Sequence, residues 1–173
     1  MSRFYVVILC CLMQIGGLAT AQQRIITLNS SLTETIYGLG VGDRMVATDV
    51  TSISPKAAAA LPRVSKNRSV SAEGLLSFKP TIVIANEGDV SKAVVQQIRA
   101  AGVKFVSIKP NYSVSGALRY IQEVADAVGE SAAGKTLASR TKLSLEHTME
   151  LVKKENQGKV APKVLFLYAR GTG

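Results

Sequence analysis

Apolar and polar residues alternate along this chain in blocks that predict strands and helices in turn. Short apolar runs, typical of strands covered on both faces, occur at 24–28, 45–48, 81–85 and 104–108. The segments between them show helical spacing, with polar starts and glycine or proline ends. Because strands and helices alternate in this order, the pattern predicts an α/β fold with a parallel sheet between helices.

Helices are predicted in three of the connections, over about 31–39, 72–78 and 91–101. The first begins at the capping box Ser31–Glu34, with Gly40 beyond its end, and Ser71 caps the second. The glycines at 38, 40 and 42 follow a helix rather than a strand, so they do not indicate a dinucleotide-binding loop.

A long irregular connection, from Asp49 to Ser69, separates the second strand from the second helix. Loops of this length are uncommon in compact domains unless they are functional. The connection ends with two cations, Lys66 and Arg68, directly before the helix that carries Glu73. We therefore regard the segment 61–80 as the first candidate for a functional site.

The pattern changes after residue 113. Helical spacing continues over 114–128, is interrupted by Gly129, and resumes as a long amphipathic helix from Ala132 to about Asn156. The apolar run Val164–Tyr168 then predicts one more strand. We interpret this strand as the first of a second α/β lobe, and we expect the sequence to be part of a longer protein.

Residues 1–21 have the pattern of a secretory signal, with Arg3, a short apolar core and small residues before a cleavage site after Ala21. The apolar core is too short to span a bilayer stably. The two cysteines of the chain, Cys10 and Cys11, would leave with the signal. The mature chain would then lack a thiol for a disulfide, a metal site or a nucleophile.

The net charge of +9 raises the question of nucleic acid. The cations are scattered, and aromatic residues make up only 5% of the chain, which is too few for a base-stacking platform. A basic exported protein is better suited to an anionic small ligand or surface. An enzyme is also disfavoured, because the sequence has no nucleophile elbow, no phosphate-binding loop and a single histidine, His147.

Five features together carry a resemblance to a known family: the signal pattern, the long helix, and the segments RIITLNSSLTETIYGLG, RSVSAEGLLSFKPTIVIANEG and VLFLYARGTG. The chain resembles the haem-binding branch of the helix-linked periplasmic substrate-binding proteins of ABC importers, whose close relatives carry cobalamin or iron siderophores. The resemblance covers essentially all of the mature chain, but only the first half to two thirds of a full family member.

The resemblance implies a periplasmic, monomeric binding protein that holds its ligand between two lobes and delivers it to a membrane permease. On this basis the chain divides into a signal peptide, an N-terminal α/β lobe, a linker-helix region and an incomplete C-terminal lobe, over 1–21, 22–112, 113–158 and 159–173. Haem is the transported ligand that the resemblance favours, and cobalamin or a ferric siderophore is the alternative. Neither nucleic acid nor catalysis is implied.

In this family the haem iron is typically held by a tyrosine in a segment resembling V-G-Y-x-R. Here the corresponding run is 64–68, and Lys66 occupies the tyrosine position. A lysine near its ordinary pKa is protonated at neutral pH and does not ligate iron, whereas Lys66 and Arg68 are suited to carboxylates such as haem propionates. No residue is therefore assigned to the metal, and the ligand-binding candidates are Lys66, Asn67, Arg68, Ser69 and Arg170.

The resemblance also implies that Glu73 docks on the permease. Its position near a helix N-terminus stabilises a carboxylate in any case, and the two roles are compatible. Three further residues are of types that can ligate iron, but the sequence favours other roles for them. We expect His147 to face solvent or linker packing, and Tyr112 and Tyr168, near strand ends, to serve packing.

Overall fold

A computed structural model of the chain describes residues 22–65, 69–160 and 162–167. Its centre is a four-stranded parallel sheet with the strand order β2-β1-β3-β4. The strands are β1 (Ile25–Leu28), β2 (Met45–Thr48), β3 (Ile82–Asn86) and β4 (Lys104–Ile108). The α/β fold with a parallel sheet flanked by helices, predicted from the sequence, is confirmed.

Both faces of the sheet are covered, which explains the unbroken apolar runs of its strands. Successive residues of a strand point to opposite faces. Accordingly, Ile25 belongs to one buried apolar cluster and Ile26 to the other. Helices α1 (Ser30–Gly38) and α5 (Val114–Ala127) contribute to the first cluster, and α3 (Ala72–Leu76) and α4 (Lys92–Ala100) contribute to the second. The short helix α2 (Lys56–Ala59) lies in the long connection between β2 and α3.

The N-cap of the first helix lies two residues earlier than the sequence predicts. Its N-cap is Asn29, whose side-chain oxygen accepts a hydrogen bond from the Ser31 amide at 3.0 Å. The predicted capping box at Ser31 is wrong because Asn29, directly after β1, already provides a strong cap. Gly40 follows the end of α1 with φ +82°, in the left-handed region as expected.

The helix that carries Glu73 begins as predicted but is shorter. The Ser71 hydroxyl accepts a hydrogen bond from the Gly74 amide at 3.0 Å and so caps α3. The helix ends at Leu76 rather than Phe78, and Lys79 then adopts φ +48° directly before Pro80. The residue before a proline disfavours the helical conformation, which is consistent with an early end.

The last helix, α6 (Ser131–Glu155), packs against α5 through its first part. Gly134 allows this contact, since a Cβ there would collide with the Cβ of Ala125. Asp126 links the two helices by accepting hydrogen bonds from Ser131 and Gln122, which lower the pKa of its carboxyl in that order of importance. An ion pair of 2.8 Å between Arg44 and Glu130 links the start of α6 to the turn before β2.

The predicted strand Val164–Tyr168 is not formed over Val164–Leu167, where the chain has no regular secondary structure. Tyr168 lies outside the described residues. None of the described strands pairs with this segment, and an isolated strand is not stable in water. The apolar side chains of this segment are exposed, for example Phe166 at 83%. Across the three described ranges, no helix is long and apolar enough to cross a membrane.

Candidate functional site

A cavity of about 250 Å³ lies at the carboxyl edge of the sheet. The chain leaves β1 towards β2 on one side and leaves β3 towards β4 on the other, so the connections diverge between β1 and β3. In open parallel sheets, ligands bind at such a switch point, beyond the carboxyl ends of the strands. The cavity is lined by residues from the ends of β1, β2 and β3 and from the segment before α3: Leu28, Asn29, Ser30, Asp49, Thr51, Val70 and Asp89.

A buried network of hydroxyl groups lies beneath this edge. Thr33, on α1, is 3.1 Å or less from the hydroxyls of its three partners: Thr27, Thr48 and Ser52. All four residues are fully buried. A buried hydroxyl is costly unless it is hydrogen-bonded, so this network fixes the ends of β1 and β2 relative to α1.

The network ends at Asp49, which lines the cavity. Ser52 donates a hydrogen bond to Oδ1 of Asp49, and Thr51 donates one to Oδ2, both at 2.6 Å. Asp49 is 8% exposed. Its carboxylate is therefore held in one orientation at the carboxyl end of β2.

Arg63 ties the long connection together. Its guanidinium donates to the carbonyl oxygens of Asp49, Ser52 and Ala59 at 2.8, 2.9 and 3.2 Å. Arg63 also forms an isolated parallel bridge to Thr48, next to β2. The chain that leads to Lys66 is thereby aligned with β2 and runs towards the carboxyl edge of the sheet.

Most of the predicted ligand-binding residues lie outside the described residues, namely Lys66, Asn67, Arg68 and Arg170. The residues on both sides of the 66–68 segment are described. The amide of Val64 donates to the Thr48 carbonyl at 3.0 Å, at the end of β2. Ser69 is exposed, and the next residue, Val70, lines the cavity. Val70, shortly after the predicted segment, therefore lies in the cavity wall, and Val64, before the segment, is held at the end of β2.

Glu73 lies on another surface. It is exposed in the first turn of α3, while Ala72 and Leu75 of the same helix are buried against the sheet. Gly74 brings α3 close to the preceding segment, since a Cβ there would be 2.9 Å from the Val64 carbonyl oxygen. Glu73 is not one of the seven residues that line the cavity.

The tyrosines near the carboxyl edge differ in environment. Tyr112 is 98% exposed, so its expected packing role is wrong, because the loop after β4 leaves its side chain in solvent. Tyr120, on α5, donates a hydrogen bond of 2.7 Å to the Asn86 side chain at the end of β3. Burial, with smaller contributions from Asp89 and Tyr112, raises the pKa of Tyr120. His147 is exposed on α6, as expected.

Sequence reasoning gave no binding role to the polar residues that line the cavity. Asn29, Asp49, Thr51 and Asp89 all follow the carboxyl ends of predicted strands. That shared position in a parallel sheet is a signal that could have identified them. Within the described part of the chain, no group of three or more histidine, cysteine, aspartate or glutamate side chains could hold a metal ion.

The chain belongs to the periplasmic binding protein family, whose sequence model matches residues 25–172. This family and fold are those of substrate-binding transport proteins, which indicates a periplasmic location. The predicted resemblance is confirmed, because solved structures similar to this chain include several periplasmic haem-binding proteins.

Individual relatives differ in what they bind. The periplasmic haem-binding protein RhuT from Roseiflexus sp. RS-1, solved in its apo form, is 35% identical with a TM-score of 0.80, over 88% of this chain and 57% of that chain. The vitamin B12-binding protein of Yersinia pseudotuberculosis is 30% identical over 65% of this chain and 39% of its own length. An uncharacterised ABC transporter substrate-binding lipoprotein of Bacillus subtilis, YvrC, is 27% identical over 76% of this chain and 42% of its own length. The chain thus spans about two fifths of these curated relatives.

Proposed function

We propose that this chain is the extracytoplasmic substrate-binding component of a haemin ABC import system. It captures haem in a cleft at the carboxyl edge of the sheet and delivers it to a membrane permease. The observation that supports this proposal most directly is the cavity at the switch point, in a chain that is 35% identical to a haem-binding protein. Export through a signal peptide cleaved after Ala21 is part of the proposal.

Lys66, Asn67, Arg68 and Ser69 form the ligand-binding segment of the first lobe in this proposal, and Arg170 faces the cleft from the second. Cationic side chains pair with haem propionates, and arginine can bind a carboxylate with two parallel hydrogen bonds. The position of Val70 in the cavity wall supports this role for the segment that directly precedes it.

The proposed two-lobe arrangement assigns 22–112 to the first lobe, 113–158 to the linker-helix region and 159–173 to the start of the second lobe. Exposed apolar side chains support it. Leu143 and Met149 on α6 are 66% and 62% exposed, and the four residues Val164–Leu167 are each 79% exposed or more. A run of consecutive exposed apolar residues such as Val164–Leu167 is typical of a surface that another folded element covers.

Titration of the purified chain with haemin tests the ligand. We expect a shift of the Soret absorbance band with saturable stoichiometry and no turnover. Replacing both Lys66 and Arg68 with alanine should weaken haemin binding at least about tenfold, because two charge-assisted contacts are lost. The matched control is the pair Lys153→Ala and Lys154→Ala, which removes the same charge from the exposed end of α6. Equal haemin affinities of the two double variants would contradict a ligand-binding role for Lys66 and Arg68.

Cobalamin or a ferric siderophore is the second candidate, and the similarity to the vitamin B12-binding protein supports it. The same protein sample should be titrated with cyanocobalamin and with a ferric siderophore, and tyrosine fluorescence should be recorded. Quenching by either compound without a Soret shift from haemin would overturn the haem proposal in favour of this one.

Docking of Glu73 on the permease is the remaining part of the proposal. Its exposure on a surface separate from the cavity supports a role other than ligand contact. We expect Glu73→Gln to reduce growth of cells that depend on haemin as their iron source, while haemin binding by the purified variant is unchanged. Glu34→Gln, at another exposed position on a helix, is the control. Equal growth with the two variants would contradict a docking role.

A further inference from the structure

Polar residues make up most of the described wall of the cavity at the carboxyl edge. Of the seven described residues that line it, five are polar: Asn29, Ser30, Asp49, Thr51 and Asp89. Two of these carry carboxylates, and none of the described residues that line the cavity carries a positive charge. The Asp49 carboxylate therefore opposes a negatively charged group that approaches it within the cavity.

Asp49 cannot turn away from an incoming anion without breaking its hydrogen bonds. Both of its carboxylate oxygens accept hydroxyl bonds of 2.6 Å, from Thr51 and Ser52. The Ser52 hydroxyl is itself 2.7 Å from that of Thr33, which is fully buried. Because Asp49 is 8% exposed, solvent screens its charge less than it would on the surface.

We propose that Asp49 is a specificity-determining residue of the ligand site. It excludes the carboxylate groups of a ligand from the carboxyl edge of β1 and β2, and it accepts hydrogen bonds from amide, hydroxyl or cationic groups there. This inference rests on the proposed function, since it assumes that the ligand occupies this cavity. For haem, it means that the propionate edge points away from Asp49.

Two probes that differ only in their two peripheral acid or amide groups test the inference. One is haemin, and the other is its bis-amide, in which both propionates are converted to carboxamides. Each is titrated against the full chain, against Asp49→Asn and against the control Asp43→Asn, which removes a carboxylate from an exposed position in the turn before β2. We expect Asp49→Asn to raise the affinity for haemin relative to the bis-amide about fivefold, and Asp43→Asn to leave that ratio nearly unchanged.

A second variant adds charge instead of removing it. Ser30 lines the cavity and is the first residue of α1, where an aspartate is stabilised by the helix dipole. Ser30→Asp should therefore fold, and it should lower the affinity for haemin relative to the bis-amide. This variant keeps the test decisive if Asp49→Asn loses its fold, as judged by circular dichroism.

The outcomes separate this inference from the proposed function. If the unmodified chain binds haemin but neither Asp49→Asn nor Ser30→Asp changes the ratio of affinities more than the control does, the inference is wrong and the proposed function stands. If the unmodified chain binds neither probe, the proposed function is wrong, and the inference is wrong with it.

Discussion

The guanidinium of Arg63 donates a hydrogen bond of 2.8 Å to the backbone carbonyl of Asp49, across fourteen residues of the chain. Asp49 begins the loop that lines the cavity, and Arg63 belongs to the segment that leads to Lys66 and Arg68. The contact therefore joins two parts of the candidate site that lie far apart in sequence. It also ties together a long connection whose described part contains one short helix.

Replacing Arg63 with alanine should destabilise the protein. The variant removes the donors to three carbonyl groups, two of which belong to the loop around Asp49 and Ser52. We expect the free energy of unfolding to fall by about 2–3 kcal/mol, measured by urea denaturation, since hydrogen bonds from a charged group are the stronger kind. Arg140→Ala, at an exposed position on α6, is the control and should change stability by less than about 0.5 kcal/mol. A similar fall in the free energy of unfolding of both variants would contradict a stabilising role for the Arg63 hydrogen bonds.

The hydroxyl network predicts a second difference between variants. Thr33→Val keeps the shape of the side chain but removes the hydroxyl shared by Thr27, Thr48 and Ser52. Leaving buried hydroxyls without this partner should cost about 1–3 kcal/mol of stability, measured by thermal unfolding. Thr33→Ser retains the hydroxyl and loses one methyl group, so we expect it to be the more stable of the two variants.

A control separates the network from a general effect of threonine substitution. Thr136→Val removes a hydroxyl that bonds only its own helix backbone at an exposed position on α6. We expect little change in its melting temperature. A Thr33→Val variant as stable as Thr33→Ser would contradict a stabilising role for the buried network.

Much of the fold could be predicted because local signals and burial agree. The runs Met45–Thr48 and Lys104–Ile108 are strands with the expected bounds, since each is apolar on the face that the helices cover. Ser71 caps its helix as expected. The run Val164–Leu167 has the same composition but forms no strand, because strand formation depends on a neighbouring strand that local sequence does not supply.

The candidate site was harder to predict, for a physical reason. The sequence draws attention to charged residues in a loop, such as Arg68, whereas the cavity is built by residues brought together only by the strand order. Asp49 and Asp89 are forty residues apart and meet at one cavity because β2 and β3 are both parallel to β1. The buried bond between Thr33 and Ser52 likewise depends on the position of α1 over the sheet.

The close approach of α3 to the preceding segment predicts opposite effects of one substitution at two helical glycines. At Gly74 a Cβ would lie 2.9 Å from the backbone oxygen of Val64, which cannot move without displacing the segment before the cavity. At Gly38 the nearest atom is the end of the flexible Leu137 side chain, at 3.0 Å. Alanine favours helix over glycine by about 1 kcal/mol, so Gly38→Ala should be neutral or stabilising.

Gly74→Ala should instead lose about 1–2 kcal/mol, because overpacking against the backbone outweighs the gain in helix propensity. Urea denaturation of the two variants under the same conditions makes the comparison. A Gly74→Ala variant as stable as Gly38→Ala would mean that α3 can shift freely relative to Val64.

The partly buried phenol of Tyr120 should make the stability of the protein depend on pH. Burial raises the pKa of Tyr120, and the Asn86 side chain accepts its hydrogen bond. Above about pH 10 the unfolded chain releases this proton while the folded protein retains it. The contribution of Tyr120 to stability is therefore full below that pH and is lost as the pH rises further.

Tyr120→Phe should therefore be less stable than the unmodified chain by about 1 kcal/mol at pH 8, and the difference should shrink between pH 10 and 11. Tyr112→Phe, at a side chain that is 98% exposed, is the control and should match the unmodified chain at pH 8. Urea denaturation across this range measures the differences, and a gap between Tyr120→Phe and the unmodified chain that stays constant with pH would contradict the raised pKa.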